Sequence, residues 1–277
     1  MEYAAKRPDR SLPPAHPVCC ELVVMMIDEQ SRESGPAGVR PRVPAGRRIY
    51  ALGDIHGRAD LLQRMHQLIR DDATDHAPDR AVVVYLGDYV DRGPQSFVVV
   101  DMLINDPLAG FETVCLKGNH DDFLLRFAAT GEHAEVWLMN GAQATLASYG
   151  VDVYGPPSSA VEMGYLWADF RAALPDDHQQ FFQGLRLSHR EGDYLFVHAG
   201  IRPGVALSLQ TPFDLMWIRE EFLNSDEDFG AVVVHGHTPL PEPEIKLNRI
   251  SIDTCAYTSG CLTCLVLEGG ERRFLST

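Results

Sequence analysis

Five short blocks of the sequence set Asp, His or Asn beside Gly: Gly53-Asp54-Ile55-His56-Gly57, Gly87-Asp88-Tyr89-Val90-Asp91-Arg92-Gly93, Gly118-Asn119-His120-Asp121, His198-Ala199-Gly200 and His235-Gly236-His237-Thr238. Asp54, His56, Asp88, Asn119, His198 and His237 together offer carboxylate, imidazole and amide donors. A nitrogen and oxygen set of this kind, without thiolates, suits manganese, iron or zinc and does not select among them. Two ions about 3.5–4 Å apart, bridged by one carboxylate and a water, supply a hydroxide near neutral pH and clamp both ends of an in-line displacement. Asp54 and His56 share a face, and so reach one ion, if the backbone stays extended through Ile55. Taken singly the blocks carry little, since Gly-Asn-His-Asp alone reads as a turn with a capping Asp. All five in order, each after an apolar run, are not accounted for by turn chemistry.

Residues so far apart need a frame that brings them together. From Arg47 onward, short apolar runs alternate with amphipathic stretches, the pattern of an α/β domain. Strands are predicted over 47–52, 80–86 and 111–117. A helix is predicted over 59–71, where Leu61, Leu62, Met65, Leu68 and Ile69 share one face. The valines of 96–105 would suit a strand, but Pro94 and Gln95 favour a helix start. Residues 121–184 read as mostly helical with a break at 154–159. Strands return at 185–191, 193–199, 231–236, 249–253, 261–268 and near 272–276. Each block then falls where a strand ends, and in an open α/β sheet the crevice beyond the carboxyl ends of strands is where ligands bind.

A formal net charge of −15 over 277 residues argues against nucleic-acid or acidic-membrane partners, whose binding relies on Lys and Arg. It leaves room for an anionic substrate, because bound cations would set the local charge. The six cysteines, Cys19, Cys20, Cys115, Cys255, Cys261 and Cys264, are too few for a chain of this size to depend on disulfides. Reduced thiols and a cytoplasmic location are expected. Cys261 and Cys264 would face opposite sides of a strand, which opposes a shared metal or redox role.

Residues 1–46 are rich in Pro, Arg, Ser and Gly, and are expected to form a disordered arm ahead of a single domain over 47–277. The apolar run at 22–27 is too short to span a bilayer. Asp28 and Glu29 follow it where a signal peptide would carry small cleavage-site residues, and Met25 and Met26 offer alternative starts. Trp137, Trp167 and Trp217 read as core residues, His235 as a histidine bonded to backbone, and His16, His66, His76, His133, His178 and His189 as surface or packing residues. Asp121 and Asp122 open a predicted helix, where acidic side chains favour the dipole.

Together the five blocks resemble the phosphoprotein phosphatase family within the calcineurin-like metallophosphoesterases, over residues 48–267. His198-Ala199-Gly200-Ile201 and Gly236-His237-Thr238-Pro239 are most similar to bacterial and phage members, which include symmetrical diadenosine tetraphosphatases. The resemblance implies a four-layer αββα sandwich of two mixed β-sheets flanked by helices. It implies that Asp54 and His56 hold a first divalent ion, that Asp88 bridges, and that Asn119, His198 and His237 complete the second set, manganese being the expected metal and iron or zinc the alternatives. His120 would be the general acid, oriented by Asp91, while Arg92 and Arg219 would grip phosphate. Chemistry supports these roles: His is the side chain best tuned to protonate a leaving alkoxide near pH 7, and Arg forks onto phosphate oxygens.

The implied activity is a serine/threonine protein phosphatase, acting on a phosphoprotein or a phosphorylated small molecule. Asp91, the second Asp of its block, favours it over the alternative, a symmetrical diadenosine tetraphosphate hydrolase. A metal-binding scaffold without activity is opposed by the complete donor set together with His120 and both arginines. Cys255 stands where related bacterial sequences read Gly, a replacement tolerated only if φ is negative there.

Overall fold

The computed structural model describes residues 40–75, 78–153 and 159–277. The first sheet is built from β1 (Arg47–Leu52), β2 (Arg80–Tyr85), β3 (Glu112–Cys115), β9 (Thr263–Glu268) and β10 (Glu271–Ser276) in the order β10-β9-β1-β2-β3. β1, β2 and β3 are parallel, starting from Arg47 opposite Arg80, and β9 and β10 add antiparallel. The second sheet has the order β4-β5-β6-β8-β7, from β4 (Ser188–Glu191), β5 (Tyr194–Val197), β6 (Val232–His235), β7 (Glu244–Ile245) and β8 (Arg249–Ser251). Here β5, β6 and β8 run parallel, while β4 and β7 close the edges antiparallel.

Side-chain alternation explains the stacking. Ile49, Ala51, Val82, Val84, Leu265 and Leu267 of the first sheet meet Tyr194, Phe196, Val232, Val234 and Ile250 of the second in one buried cluster. The intervening residues Tyr50, Leu52, Val83 and Tyr85 point the other way, into the helices. Strands buried on both faces read as continuous apolar runs, which is why the runs here show no polar alternation. The helical layer over the first sheet comprises α1 (Ala59–Asp75), α2 (Ser96–Asn105), α3 (Asn119–Thr130), α4 (Ala134–Met139), α5 (Ala142–Ser148), α6 (Ala160–Ala173) and α7 (Asp176–Gln183). α2 is helical despite its valines because Val99, Val100 and Leu103 fall on one buried face. Over the second sheet, α8 (Pro212–Trp217) and α9 (Glu220–Leu223) contribute Leu215 and Phe222 to a cluster with Leu195, Val197 and Val233. The result is the expected four-layer sandwich. β7, α8, α9 and the short α10 (Ala256–Ser259) were not anticipated, since each is too brief to show a period.

The expected limit of the arm at residue 46 is too late. Val43 is buried in the core between the sheets. Its N–H donates to Gly269 O at 3.0 Å, and the backbone of Arg42 accepts from Asp193 N at 3.0 Å. The Arg42 N–H also donates to Asp193 Oδ2 at 2.9 Å. One valine in a Pro- and Arg-rich stretch carries no periodic signal, so this attachment is tertiary. Residues 1–39, with the apolar run at 22–27, lie outside the described residues. A chain beginning at Arg40 is expected to melt with the full-length protein. One beginning at Arg47 should melt roughly 4–8 °C lower, from the loss of about 2 kcal/mol of Val43 burial. Equal melting of the two truncations would show that the strap contributes nothing.

Candidate metal centre

All five blocks lie at the carboxyl ends of strands: Asp54 and His56 after β1, Asp88 after β2, Asn119 and His120 after β3, His198 after β5, and His237 after β6. The chain does not stay extended through Ile55, as the alternation argument required. β1 ends at Leu52, and His56 has φ +46°. Among the described residues seven non-glycine residues are left-handed, and five of them are His56, Asp88, Asp91, Arg92 and His237. Such conformations cost about 1–3 kcal/mol each and persist only where the surroundings over-determine them. Glycine supplies the clearance: a Cβ on Gly118 would collide with the Asp88 carboxylate, and one on Gly236 with that of Asp54.

The donors converge with their lone pairs facing one another. His56 Nδ1 donates to Val90 O at 2.7 Å and His198 Nδ1 to Leu86 O at 2.9 Å, so each neutral ring presents an unprotonated Nε2 inward. His56 Nε2 faces Asp88 Oδ2 at 3.6 Å, and His198 Nε2 faces the same oxygen at 3.4 Å and Asn119 Oδ1 at 3.0 Å. His237 Nε2 is buried without a partner. One ligand atom each from Asp88, His198 and His237 falls within 4.8 Å of the others, as does one each from His56, Asp88 and His120. Burial lowers His56 to about 3 and His237 to about 2, and it lowers His198 as well. All three are therefore held in the neutral form that binds metal. Asp54 is turned toward the backbone of His237, whose N–H lies 3.2 Å from Oδ2. Burial, then Asp253 and Asp88, push its carboxyl well above the ordinary value. Acceptors packed this way suit divalent cations.

His120 is bound differently. Its Nδ1 donates to Asp91 Oδ2 at 2.6 Å, and its Nε2 accepts from Arg92 NH2 at 3.2 Å. Burial alone would lower the imidazole, but Asp88 and then Asp91 outweigh it and hold His120 above its ordinary value. Arg92 is further held over the Tyr257 ring, 4.9 Å from its centroid. Arg219 is exposed and donates to Thr238 Oγ1 at 3.2 Å, one residue beyond His237. The fold thus assembles Asp88, Asn119, His120, His56, His198 and His237 tightly, with Asp54 and Asp91 buried beside them and Arg219 at the rim.

Some contributors were not legible as such. Asp121 does more than favour a helix dipole. Its carboxylate accepts from Asp88 N at 2.9 Å, Tyr89 N at 3.1 Å and Gly118 N at 2.8 Å, tying the second block to the third. Burial and the charge of Asp88 push it up to about 8, and the three N–H donors oppose them. The buried Asp253 accepts from Cys255 N at 2.9 Å. The negative φ required at Cys255 is not what the chain adopts: φ is +57°, so the cysteine occupies the glycine-like conformation. His235, as expected, bonds to backbone, with Nδ1 donating to Gly236 O at 3.1 Å. Of the six histidines read as surface or packing residues, His66 and His178 are buried beside Tyr85 and Tyr149, while His16 and His76 lie outside the described residues.

A two-sheet sandwich with an Asp, His and Asn cluster at the carboxyl ends of its parallel strands defines a metallophosphoesterase. The family model for calcineurin-like phosphoesterases matches residues 47–263, and the chain belongs to that family. It is 29% identical over 231 residues to the asymmetrical bis(5′-nucleosyl)-tetraphosphatase PrpE of Anoxybacillus flavithermus, covering 77% of this chain and 88% of that protein. It is 25% identical over 222 residues to serine/threonine-protein phosphatase 1 of Salmonella typhimurium, covering 78% and 90%. Among solved structures, a cold-active protein-tyrosine phosphatase of a psychrophilic Shewanella species is similar in fold, with a TM-score of 0.54, 16% identity, and 84% and 83% of the two chains covered.

Asp121→Asn tests the tie between the blocks. An amide cannot accept all three N–H donors, and a buried donor left unmet costs about 1–3 kcal/mol. The variant is expected to melt lower in metal-free buffer and to bind Mn²⁺ more weakly by calorimetric titration. Wild-type affinity would reduce Asp121 to a helix cap.

Proposed function

We propose that this metallophosphoesterase is a serine/threonine protein phosphatase. In this reading Asp54, His56 and Asp88 hold one divalent ion, and Asp88, Asn119, His198 and His237 hold a second. Manganese is the expected metal, with iron or zinc as alternatives. When bound, the ions supply an activated water and positive charge for the phosphoryl oxygens. Arg92 and Arg219 draw the phosphate into place and exclude poorly oriented substrates, each contact contributing about 1.5–3 kcal/mol. His120, protonated at Nε2 once the Arg92 guanidinium has turned from that nitrogen to the phosphate, then hands this proton to the departing oxygen, its ring held by Asp91 at Nδ1.

The observation that carries the reading is the Asp91–His120 pair, with 2.6 Å between Nδ1 and Oδ2. A carboxylate in that position keeps the imidazole in one orientation and raises its basicity, which is what a strongly basic serine or threonine alkoxide needs from its acid. Similarity to the asymmetrical tetraphosphatase of Anoxybacillus flavithermus supports a second reading, hydrolysis of a dinucleoside polyphosphate such as diadenosine tetraphosphate, for which the sequence motifs favour the symmetrical form. No described helix is long and apolar enough to cross a membrane.

Chelation is expected to abolish hydrolysis of p-nitrophenyl phosphate and Mn²⁺ to restore it. Full activity of metal-free protein would falsify the two-ion reading. Asp88→Asn should be the most damaging change of a single ligand, in metal content as well as rate, because it serves both ions.

Substrate choice is decided by assaying the Mn²⁺-loaded protein in parallel on a phosphoserine peptide, a phosphotyrosine peptide and diadenosine tetraphosphate. The protein-phosphatase reading expects the highest kcat/KM on the phosphoserine peptide. A preference for diadenosine tetraphosphate would select the second reading. His120→Asn should slow phosphoserine release by roughly 10²–10⁴-fold and p-nitrophenyl phosphate far less, since p-nitrophenolate leaves unaided. Equal losses on the two substrates would give the acid role to another group.

A further inference from the structure

Asp91 has no exposed surface, and its carboxylate is held from three directions. Oδ2 accepts from His120 Nδ1 at 2.6 Å and from the indole Nε1 of Trp137 at 2.8 Å. Oδ1 accepts from Thr145 Oγ1 at 2.7 Å. The hydroxyl of Thr145 also receives the backbone N–H of Asp91 at 2.8 Å, so one side chain grips both the backbone and the carboxylate of the same residue. Ser96 Oγ stands 3.0 Å from Thr145 Oγ1 and 3.1 Å from Asp91 N. Asp91 itself sits at φ +72°, a conformation that needs such support.

We propose that Trp137 and Thr145 are positioning residues for proton delivery to the leaving group, acting through Asp91 on His120. The inference rests on the reading of His120 as the acid. A carboxylate free to rotate about χ2 could offer either oxygen to His120, and the ring would swing with it. Here the indole N–H fixes Oδ2 and the threonine O–H fixes Oδ1, so only one orientation of the plane satisfies all donors. The indole cannot drift, because its ring is packed against Phe127 and Phe170 with centroids 5.1 and 5.7 Å away. Both residues come from the helical layer, Trp137 from α4 and Thr145 from α5, which gives that wall of the cleft a part in the chemistry beyond covering the sheet. Neither touches the metal-ligand candidates, which separates their effect from metal binding.

The test uses Trp137→Phe, which removes the indole N–H, and Thr145→Val, which removes the hydroxyl that both donates to Asp91 Oδ1 and accepts from Asp91 N, in the Mn²⁺-loaded full chain, with Thr145→Ser as the rescue. The substrates are a series of aryl phosphates from p-nitrophenyl to phenyl phosphate, which varies leaving-group basicity without presuming a protein substrate. Each donor-deleted variant is expected to lose ~10-fold or more in kcat on phenyl phosphate and less than ~3-fold on p-nitrophenyl phosphate. KM and bound manganese should be unchanged, and Thr145→Ser should regain most of the loss. In a His120→Asn background, Trp137→Phe should add nothing.

Equal losses across the series, or a full additional loss on top of His120→Asn, would overturn the proposal and leave the two residues with a packing role. Should Trp137→Phe fail to fold, the Thr145 pair decides alone. If His120→Asn itself shows no leaving-group dependence, the acid assignment fails first and the positioning role falls with it. Wild-type behaviour of both donor-deleted variants beside a normal His120→Asn effect would remove the positioning role only.

Discussion

Acceptor atoms that face one another across a buried space govern this molecule. The imidazoles of His56 and His198 are locked by backbone carbonyls so that Nε2 points at Asp88, and Asn119 Oδ1 faces His198 at 3.0 Å. Asp54 and Asp253 add carboxylates to the same interior. Without positive charge this arrangement is repulsive, and burial magnifies the repulsion. Divalent cations turn it into coordination. The negative formal charge of the chain therefore does not oppose an anionic substrate, because the charge the substrate meets is set locally.

Holding such a cluster together demands backbone that the chain would not choose. Left-handed conformations at His56, Asp88, Asp91, Arg92 and His237 re-aim side chains that a strand would have splayed to opposite faces. Their cost is offset by a sandwich whose parallel strands are buried on both sides and by a few anchoring groups. Asp121 is the clearest of these, since one carboxylate gathers amides from two blocks 30 residues apart in sequence. Stability and function are coupled here in a definite direction: the frame is rigid so that its loops can be strained.

The helical wall has a double part. α4 and α5 cover the first sheet with apolar surface, and they also reach Asp91 with an indole N–H and a hydroxyl. Trp137 read from sequence as a core residue, and it is one, fully buried among Phe127 and Phe170. What the sequence could not reveal is that its one polar atom has a single partner, and that this partner is the residue behind His120.

The division between sequence and tertiary structure follows from range. Glycine-flanked Asp, His and Asn at the ends of apolar runs are local signals, and they were enough to identify the blocks and the strand ends that carry them, while the two-sheet sandwich followed from the family resemblance of those blocks. Element type followed wherever a run was long enough to show its period, as in α1, while β7 and α10 were too short to do so. Contacts between distant segments were not legible: Val43 docking between the sheets, Asp121 bridging two loops, Trp137 and Thr145 closing on Asp91. Nor was the sign of φ at Cys255 or His56, because an L-residue enters the left-handed region only at a cost that its surroundings must offset, and residue type alone does not show those surroundings. Composition and order determined which chemistry the chain carries, and packing alone decided how its donors face one another.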